Sequence, residues 1–443
     1  MIQLSRQTAL QALLRVENDN SYSNITLDSV LSKSGISSAD KSFATTIFYG
    51  VIEKKLLIDY NIAAFSKIPV DKLDTKVLTI LRMGMYQLFF MDKVPVSAAV
   101  NESVKLCKAN KLYSASSYVN AVLRNAATNN QIKYPDKKKG KNKYLSIKYS
   151  CPENIIKLWR QSYGDEITER ILQSLDGRPP LTARVNTTKT TAEKLIQSLT
   201  QSGVNARNSE ILKNALLLEN TGAVEKLNEY TDGLFHIQDT ASQICCELLN
   251  PLENQTVLDV CSAPGGKTFT IAELMKNKGK IISCDLYSSR LNLVSDGAKR
   301  LSLDIISTKA CNAAEVSDLP KADRVLCDVP CSGLGIIRRK PELRYKNELG
   351  LDTLPDLQYL ILCNGSKFVK QGGILVYSTC TLNPSENNLN AEKFLEEHND
   401  FEPVEINLPK NIKRGIDEKS NELTLFPHIS NTDGFFISVF RKR

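Results

Sequence analysis

The chain has 443 residues, enough for two or three domains with full cores. Its 42% hydrophobic and 24% charged residues match an ordinary globular protein, and no apolar run reaches membrane-spanning length, so no membrane-spanning helix is expected. A net charge of +8 permits nucleic-acid binding without demanding it.

In chain order, Met1-Ile2-Gln3-Leu4-Ser5-Arg6 lacks a long apolar core before a small-residue site, so export is not expected. Residues 1 to about 128 read as all-helical. Leu10, Leu13, Leu14 and Val16 form one apolar stripe, and Phe43, Ile47, Phe48 and Val51 a second. Val77, Ile80, Leu81, Met85 and Leu88 form a third, ending before Pro95. Two last helices are expected over about 97–109, with Ser97 as N-cap, and over 115–127. Such steady periodicity argues a helical bundle. Lys133, Lys137, Lys138, Lys139, Lys141 and Lys143 then crowd an apolar-poor stretch with Pro135 and Gly140, which reads as a linker. Phosphate contact is its second reading.

From about 150 to 239 helix and strand signals alternate. Ile155, Ile156 and Trp159 mark a helix, 181–186 a strand, 192–202 a helix and 215–218 a further strand. Arg184, Asn186 and Thr187 at a strand edge are candidates for ligand contact, although a polar strand end is the commoner explanation. Gln238-Asp239 precedes a helix that leads into strands at 257–260, 281–285, 305–308, 324–328 and 373–378, with a late strand at 435–440. Alternation of this length implies a mostly parallel sheet. The expected fold is therefore multidomain: an all-α helical bundle, a small α+β (RRM-like) subdomain and a Rossmann-like α/β domain. The expected bounds are 1–130, a basic linker at 131–149, 150–239 and 240–443.

The stretch Val257 to Thr268 organises the last domain: an apolar run ends in Asp259, and a turn of small residues precedes a helix. Gly265 and Gly266 lack a Cβ and permit a sharp turn and close approach to a ligand, while helix N-terminal amides face an anionic group. A P-loop needs a glycine where Cys261 stands, so ATP fails on spacing. A dinucleotide fingerprint needs three spaced glycines, which are absent. What remains is S-adenosylmethionine, with Asp285 at the next strand's end, about 20 residues on, as the grip for ribose hydroxyls.

Eleven cysteines, an odd number without Cys-x-x-Cys zinc spacing, argue against disulfides and for a reducing cytoplasm. Cys331 and Cys380 each follow a strand, in Asp328-Val329-Pro330-Cys331-Ser332-Gly333-Leu334-Gly335 and Ser378-Thr379-Cys380-Thr381. Carboxyl strand ends line the ligand crevice of such sheets, so both can face one substrate. A thiolate beside a methyl donor suits addition to C6 of a pyrimidine, which makes C5 nucleophilic; Asp328 is positioned near N3. Zinc on Asp328, Cys331 and Cys380 is the rival use, but no fourth ligand presents itself, so no metal is expected.

Together, Cys-Ser-Ala-Pro-Gly-Gly-Lys-Thr, Asp-Val-Pro-Cys-Ser-Gly-Leu-Gly and Ser-Thr-Cys-Thr-Leu-Asn-Pro-Ser-Glu-Asn resemble the Nop/Sun family of RNA cytosine-C5 methyltransferases. The closing stretch Pro427-His428 through Thr432-Asp433-Gly434-Phe435-Phe436 is similar to that family's last strand. The N-terminal segments Leu81-Arg82-Met83-Gly84-Met85-Tyr86-Gln87-Leu88 and Val119-Asn120-Ala121-Val122-Leu123-Arg124 resemble the antitermination factor NusB, a fusion that points to 16S ribosomal RNA as substrate. The resemblance implies that Cys261, Ser262, Ala263, Pro264, Gly265, Gly266 and Lys267 hold the methionine end of S-adenosylmethionine, with Asp285 on the ribose. Arg290, Asn312 and Asp328 complete the cofactor set; Asn312 stands where the family usually has an aspartate near the adenine amino group, and its oxygen can still accept that hydrogen bond. Cys380 is implied as nucleophile and Cys331 as assistant in product release, with Asp328 touching cofactor and base.

Chemistry at C5 and C6 needs the ring face, so the target is expected to be an unstacked or flipped cytosine. Arg338, Arg339 and Lys340, followed by Arg344, put positive charge directly after the Pro-Cys loop and read as an RNA clamp. The alternatives are the same chemistry on transfer RNA or 23S ribosomal RNA, and a non-enzymatic RNA-binding factor whose core is a relic. The default expectation is a cytoplasmic monomer without metal or membrane.

Overall fold

The computed structural model describes residues 4–19, 22–315, 318–346, 350–408, 411–412, 415 and 418–443. The chain divides into two compact units, Met1–Gly177 with Ile337–Asn347 and Arg178–Ile336 with Glu348–Arg443. Among the described residues, no helix is long and apolar enough to cross a membrane.

The first unit opens with helices Leu4–Asp19, Ser23–Lys33, Ser38–Glu53, Lys55–Phe65, Thr75–Phe90, Val96–Ala109 and Tyr113–Asn129. The apolar stripes close on one another: Leu10, Ile47, Phe48, Ile80, Leu81 and Leu123 are all fully buried in one cluster. Caps mark two of the starts. Ser37 accepts the Asp40 amide, and Asp74 accepts those of Lys76 and Val77. The sixth helix departs from expectation, because Pro95 is its N-cap and Ser97 lies inside it. Arg82 is buried in the bundle, with two nitrogens on the Asp59 carboxylate at 2.7 and 2.8 Å.

Within the lysine-rich stretch Lys141–Tyr149 is helical, since Leu145 and Tyr149, four residues apart, share a buried face. Helix Glu153–Gln173 follows and breaks at Gly164, whose φ of +76° only glycine adopts readily. The short 3-10 helix Pro341–Tyr345 belongs to this unit although it follows the Pro-Cys loop in sequence. Glu342 accepts the Ser23 amide at 3.0 Å. Arg344 is buried, donating to the carbonyls of Tyr149, Ser150 and Ile337 at 3.2–3.3 Å. Its charge is therefore spent on satisfying buried carbonyls, which removes it from the clamp expected after the Pro-Cys loop.

The second unit holds two sheets. In the smaller, β1 (Leu181–Val185), β2 (Asn205–Asn208), β3 (Ala215–Glu219) and β4 (Phe235–Ile237) run antiparallel in the order β2-β3-β1-β4. Helix Ala192–Gln201 lays Leu195 and Leu199 over Val185, Leu216 and Phe235. Arg184 and Asn186 prove to be buried ties, not ligand contacts. Asn186 Nδ2 donates to the carbonyls of Gly233 and Leu301 at 2.9 and 2.8 Å; Arg184 pairs with Glu247 and Glu273.

The larger sheet comprises, among the described residues, β5 (Thr256–Asp259), β6 (Lys280–Asp285), β7 (Ile306–Ala310), β8 (Ala322–Asp328), β9 (Val369–Thr379), β10 (Phe401–Pro403), β11 (Glu422–Leu425) and β12 (Phe435–Lys442). The order is β10-β12-β9-β8-β5-β6-β7, with β11 also on β12. Strands β9, β8, β5, β6 and β7 are parallel, as the alternating pattern implies, and β12 closes antiparallel on β9. Strand order reverses at β5, between β6 and β8, so the ligand crevice of this fold lies beyond the end of β5.

Candidate active site

The loop after β5 is fastened by the protein's own hydrogen bonds. Ser262 donates through its amide and its hydroxyl to the Cys284 carbonyl at 2.7 and 3.0 Å, fastening the loop to β6. Gly265 takes φ +110°, and a Cβ there would sit 2.5 Å from the Phe269 ring. Sterics thus demand glycine at this turn. Helix Gly266–Leu274 starts at once, so its free amides lie beside the crevice. Burial pushes the Cys261 thiol well above its ordinary range, marking it as a packed thiol rather than a nucleophile.

Asp259 is fully buried at the end of β5. Thr268 Oγ1 donates to its Oδ2 at 2.7 Å. Burial pushes this carboxyl up to about 7, the Thr268 bond opposing it.

Asp285 ends β6 almost fully buried. Its carboxylate accepts the Tyr287 amide at 3.1 Å and meets Arg290 at 3.0 Å. Arg290 also reaches back to the Ala263 carbonyl at 2.9 Å, so one guanidinium joins the acid to the glycine loop. Asn312, beyond β7, closes its own turn: Oδ1 accepts the Ala314 amide at 3.1 Å and Nδ2 donates to Glu315 at 2.8 Å.

Asp328 ends β8, with Lys267 Nζ 2.7 Å from Oδ2 and Ser378 Oγ 2.8 Å from Oδ1. Burial works against the charge on Lys267, yet the Asp328 carboxylate outweighs it and raises the Lys267 pKa. Lys267 also stands 5.0 Å from the Phe435 ring centre.

Cys331 and Cys380 come together, their sulfurs 3.0 Å apart, both half-buried and unbridged. The loops carrying them touch backbone to backbone. Gly335 N–H donates to the Cys380 carbonyl at 3.0 Å, and a Cβ on Gly335 would strike the Gly434 carbonyl at 1.9 Å. The hydrogen bond with Cys380 and burial hold the Cys331 thiol well above its ordinary range. Among the described residues, no group of three or more His, Cys, Asp or Glu is placed to hold a metal ion.

The spacing of motifs missed a second layer. Glu386, Gln358, Asn383 and Ser378 are buried around the two cysteine loops and Asp328. Ser378, Asn383 and Glu386 fall within the motif Ser-Thr-Cys-Thr-Leu-Asn-Pro-Ser-Glu-Asn, whereas Gln358 carries no sequence signal. Of the basic trio, Arg338 Nε donates to the Gly177 carbonyl at 3.3 Å and Lys340 Nζ lies 4.7 Å from the Tyr22 ring centre. Arg338, Arg339 and Lys340 all belong to the helical unit.

The sheet thus carries a glycine loop after its first strand, an acid at the end of its second and paired cysteines after its fourth and fifth. Residues 246–441 match the family described as 16S rRNA methyltransferase RsmB/F, residues 3–128 the NusB family, and residues 151–225 the ferredoxin-like domain of RsmF/B-like methyltransferases. The "Probable ribosomal RNA small subunit methyltransferase B" of Bacillus subtilis (strain 168) is 35% identical over 99% of this chain and 98% of its own length. Its namesake in Synechocystis sp. is 36% identical over 99% of each. The crystal structure of PH0851 superposes with a TM-score of 0.85 at 27% identity, covering 100% of this chain and 99% of that one. With the paired sequence and structural agreement running from end to end, the chain belongs to the RsmB/F family of S-adenosylmethionine-dependent ribosomal RNA methyltransferases.

Proposed function

We propose that this chain transfers a methyl group from S-adenosylmethionine to C5 of a cytosine in 16S ribosomal RNA, through a covalent bond between Cys380 and C6. The observation that carries this reading is the pair of cysteine sulfurs 3.0 Å apart, on loops that follow neighbouring parallel strands. Asp328 stands at the end of one of those strands, paired with Lys267.

The residues fit the cofactor. The turn at Gly265 and the first amides of helix Gly266–Leu274 suit the methionine carboxylate. Asp285, steadied by Arg290, suits the ribose hydroxyls, and Asn312 the adenine edge. Cys261 to Lys267 line the methionine end.

Cys380, its thiol proton passed to a base, gives a sulfur electron pair to C6, which leaves the former C5–C6 π pair available at C5. The methyl group taken up there would come from bound S-adenosylmethionine, whose sulfonium sulfur keeps the electron pair of the broken S–CH3 bond and leaves as the neutral thioether. Loss of the C5 proton to a base restores the double bond, and the S–C6 bond breaks with its pair remaining on Cys380. Cys331, kept as a thiol beside that sulfur, donates a hydrogen bond to it as it departs and so assists release. Asp328 contacts cofactor and base.

In this reading residues 1–130 are an RNA-recognition bundle, 131–149 a basic linker that ends in the helix Lys141–Tyr149, 150–239 a small subdomain and 240–443 the catalytic domain. Arg338, Arg339 and Lys340 contact RNA phosphates, and the target cytosine is unstacked. A ribosomal RNA substrate puts the enzyme in the cytoplasm. The test is transfer of labelled methyl from S-adenosylmethionine to unmodified 16S RNA, with nucleosides identified after digestion. 5-Methylcytidine from 16S RNA, absent with Cys380→Ala, is the expected result. Label in transfer RNA or 23S RNA alone overturns the substrate, and undiminished transfer by Cys380→Ala overturns the nucleophile. No label in any RNA, with cofactor still bound, favours an RNA-binding factor.

A further inference from the structure

One buried carboxylate ties together the two cysteine loops. Glu386 has no solvent exposure. Its Oε2 accepts the Ser332 amide at 2.9 Å and Gln358 Nε2 at 2.8 Å, and its Oε1 accepts Asn383 Nδ2 at 2.9 Å. Gln358 Nε2 also donates to the Pro330 carbonyl at 2.9 Å. Both neighbours of Cys331 therefore hang on this one side chain, Ser332 directly and Pro330 through Gln358. On the other loop, Glu386 closes the 3-10 turn Pro384–Glu386, six residues beyond Cys380, and its carbonyl accepts Tyr377 Oη at 2.5 Å. The adjacent Asn387 holds the Thr381 carbonyl at 3.0 Å and the Thr379 hydroxyl at 2.5 Å, on either side of Cys380. Ser332 and Thr381 hydroxyls complete the seam at 2.7 Å.

A buried carboxylate is costly unless donors surround it, and here three N–H groups converge on its two oxygens. We propose that Glu386 is a positioning residue of the methyl transfer, setting the separation of Cys331 and Cys380 by clamping one loop to the other. The inference rests on the two-cysteine chemistry proposed above. Glu386 has a second effect on the same pair. The Cys380 hydrogen bond and burial raise the Cys331 thiol first, and the Glu386 charge adds to them. The nearby Tyr377 hydroxyl is also raised, first by burial and then by the Glu386 and Cys331 charges. Cys331 thus stays a proton-bearing thiol while Cys380 attacks.

Glu386→Gln keeps the shape but not the match. An amide offers one acceptor oxygen, so its NH₂ must face at least one of the three donors. The experiment measures kcat and both KM values for methyl transfer to 16S RNA, plus the pH profile of Cys331 alkylation by iodoacetamide in a Cys380→Ser background. The expected result is a kcat lower by about tenfold or more, a KM for S-adenosylmethionine within about twofold of wild type, and alkylation shifted to lower pH. Wild-type kcat, an unmoved alkylation profile, or a fall in kcat matched by an equal loss of cofactor affinity each overturns the proposal. If Glu386→Gln does not fold, Gln358→Met severs the Pro330–Glu386 link at similar volume, and wild-type kcat there overturns it equally. Cys380→Ala is run alongside. Retained turnover in that variant sinks the cysteine chemistry itself, whereas lost turnover beside a normal Glu386→Gln sinks only the clamp.

Discussion

Lys267 Nζ stands 2.7 Å from Asp328 Oδ2 and so fastens the first turn of helix Gly266–Leu274 to the end of β8. The pair joins the glycine loop, on the cofactor side, to the strand that leads into the Pro-Cys loop. Neither group is far from water, with side-chain exposures of 13% and 25%, so the pair is worth less than a fully interior one. Lys267→Met leaves Asp328 with Ser378 as its remaining side-chain donor. The expected cost in urea unfolding is about 2–4 kcal/mol. In a double-mutant cycle with Asp328→Asn, the two changes should fall short of additive by about 1 kcal/mol or more. Strict additivity would falsify the coupling.

Asp259 makes stability depend on pH in the direction opposite to most carboxylates. Its folded pKa is raised from 3.8 to about 7 by burial, so the folded state holds a proton that the unfolded chain releases above about pH 4. A raised folded pKa gives stability that is fully present below the unfolded pKa. That stability is lost as pH rises through the folded one. Asp259→Asn keeps an oxygen for Thr268 and removes the titration. Relative to this variant, wild type should lose about 2–3 kcal/mol between pH 5 and pH 8, read by denaturant unfolding at both pH values. Parallel curves for the two proteins would sink the assignment.

Local patterns carried most of the fold. The apolar stripe of Val77, Ile80 and Leu81 needs only a 3.6-residue period to declare a helix, and all three are buried. Strand ends at Asp259, Asp285 and Asp328 were equally legible, because each is a carboxylate closing an apolar run. Where the sequence does not show a residue's role, the cause is mostly long-range packing. Arg344 looks like part of a basic surface until the carbonyls of Tyr149 and Ser150, nearly 200 residues away in sequence, are seen to consume it. Glu386 shows no role of its own within the Thr-Cys motif, because its donors Ser332 and Gln358 are 54 and 28 residues distant. Ser97 satisfies the composition of an N-cap, but Pro95, with no N–H to lose, starts that helix two residues earlier.

Cys331→Ala separates attack from release. With Cys380 intact and Cys331 unable to hydrogen-bond the departing sulfur, the protein–RNA adduct should outlast turnover and survive denaturing electrophoresis. The adduct should disappear in the Cys331→Ala, Cys380→Ala double variant. Normal turnover without adduct in Cys331→Ala would remove its release role, and an adduct persisting without Cys380 would reassign the nucleophile.

Arg184 shows how the small sheet supports the loop after β5. Its guanidinium, 1% exposed, meets Glu247 at 2.9 Å and Glu273 at 3.2 Å, and Glu273 is itself fully enclosed with His236 Nδ1 3.4 Å away. Burial disfavours the Arg184 charge, but the two glutamates outweigh it and raise its pKa. Glu273 lies on helix Gly266–Leu274, so the ion pair braces the helix whose N-terminus faces the crevice. Arg184→Met strands the Glu273 carboxylate in the interior and should cost about 3–5 kcal/mol in unfolding. It should also weaken S-adenosylmethionine binding, because the helix start loses its brace. Adding Glu273→Leu removes the stranded charge, and the double variant should regain most of the stability, as paired apolar replacement of buried ions usually does. If the double variant is as unstable as Arg184→Met alone, the loss comes from packing around Arg184 and the ion pair is not the brace.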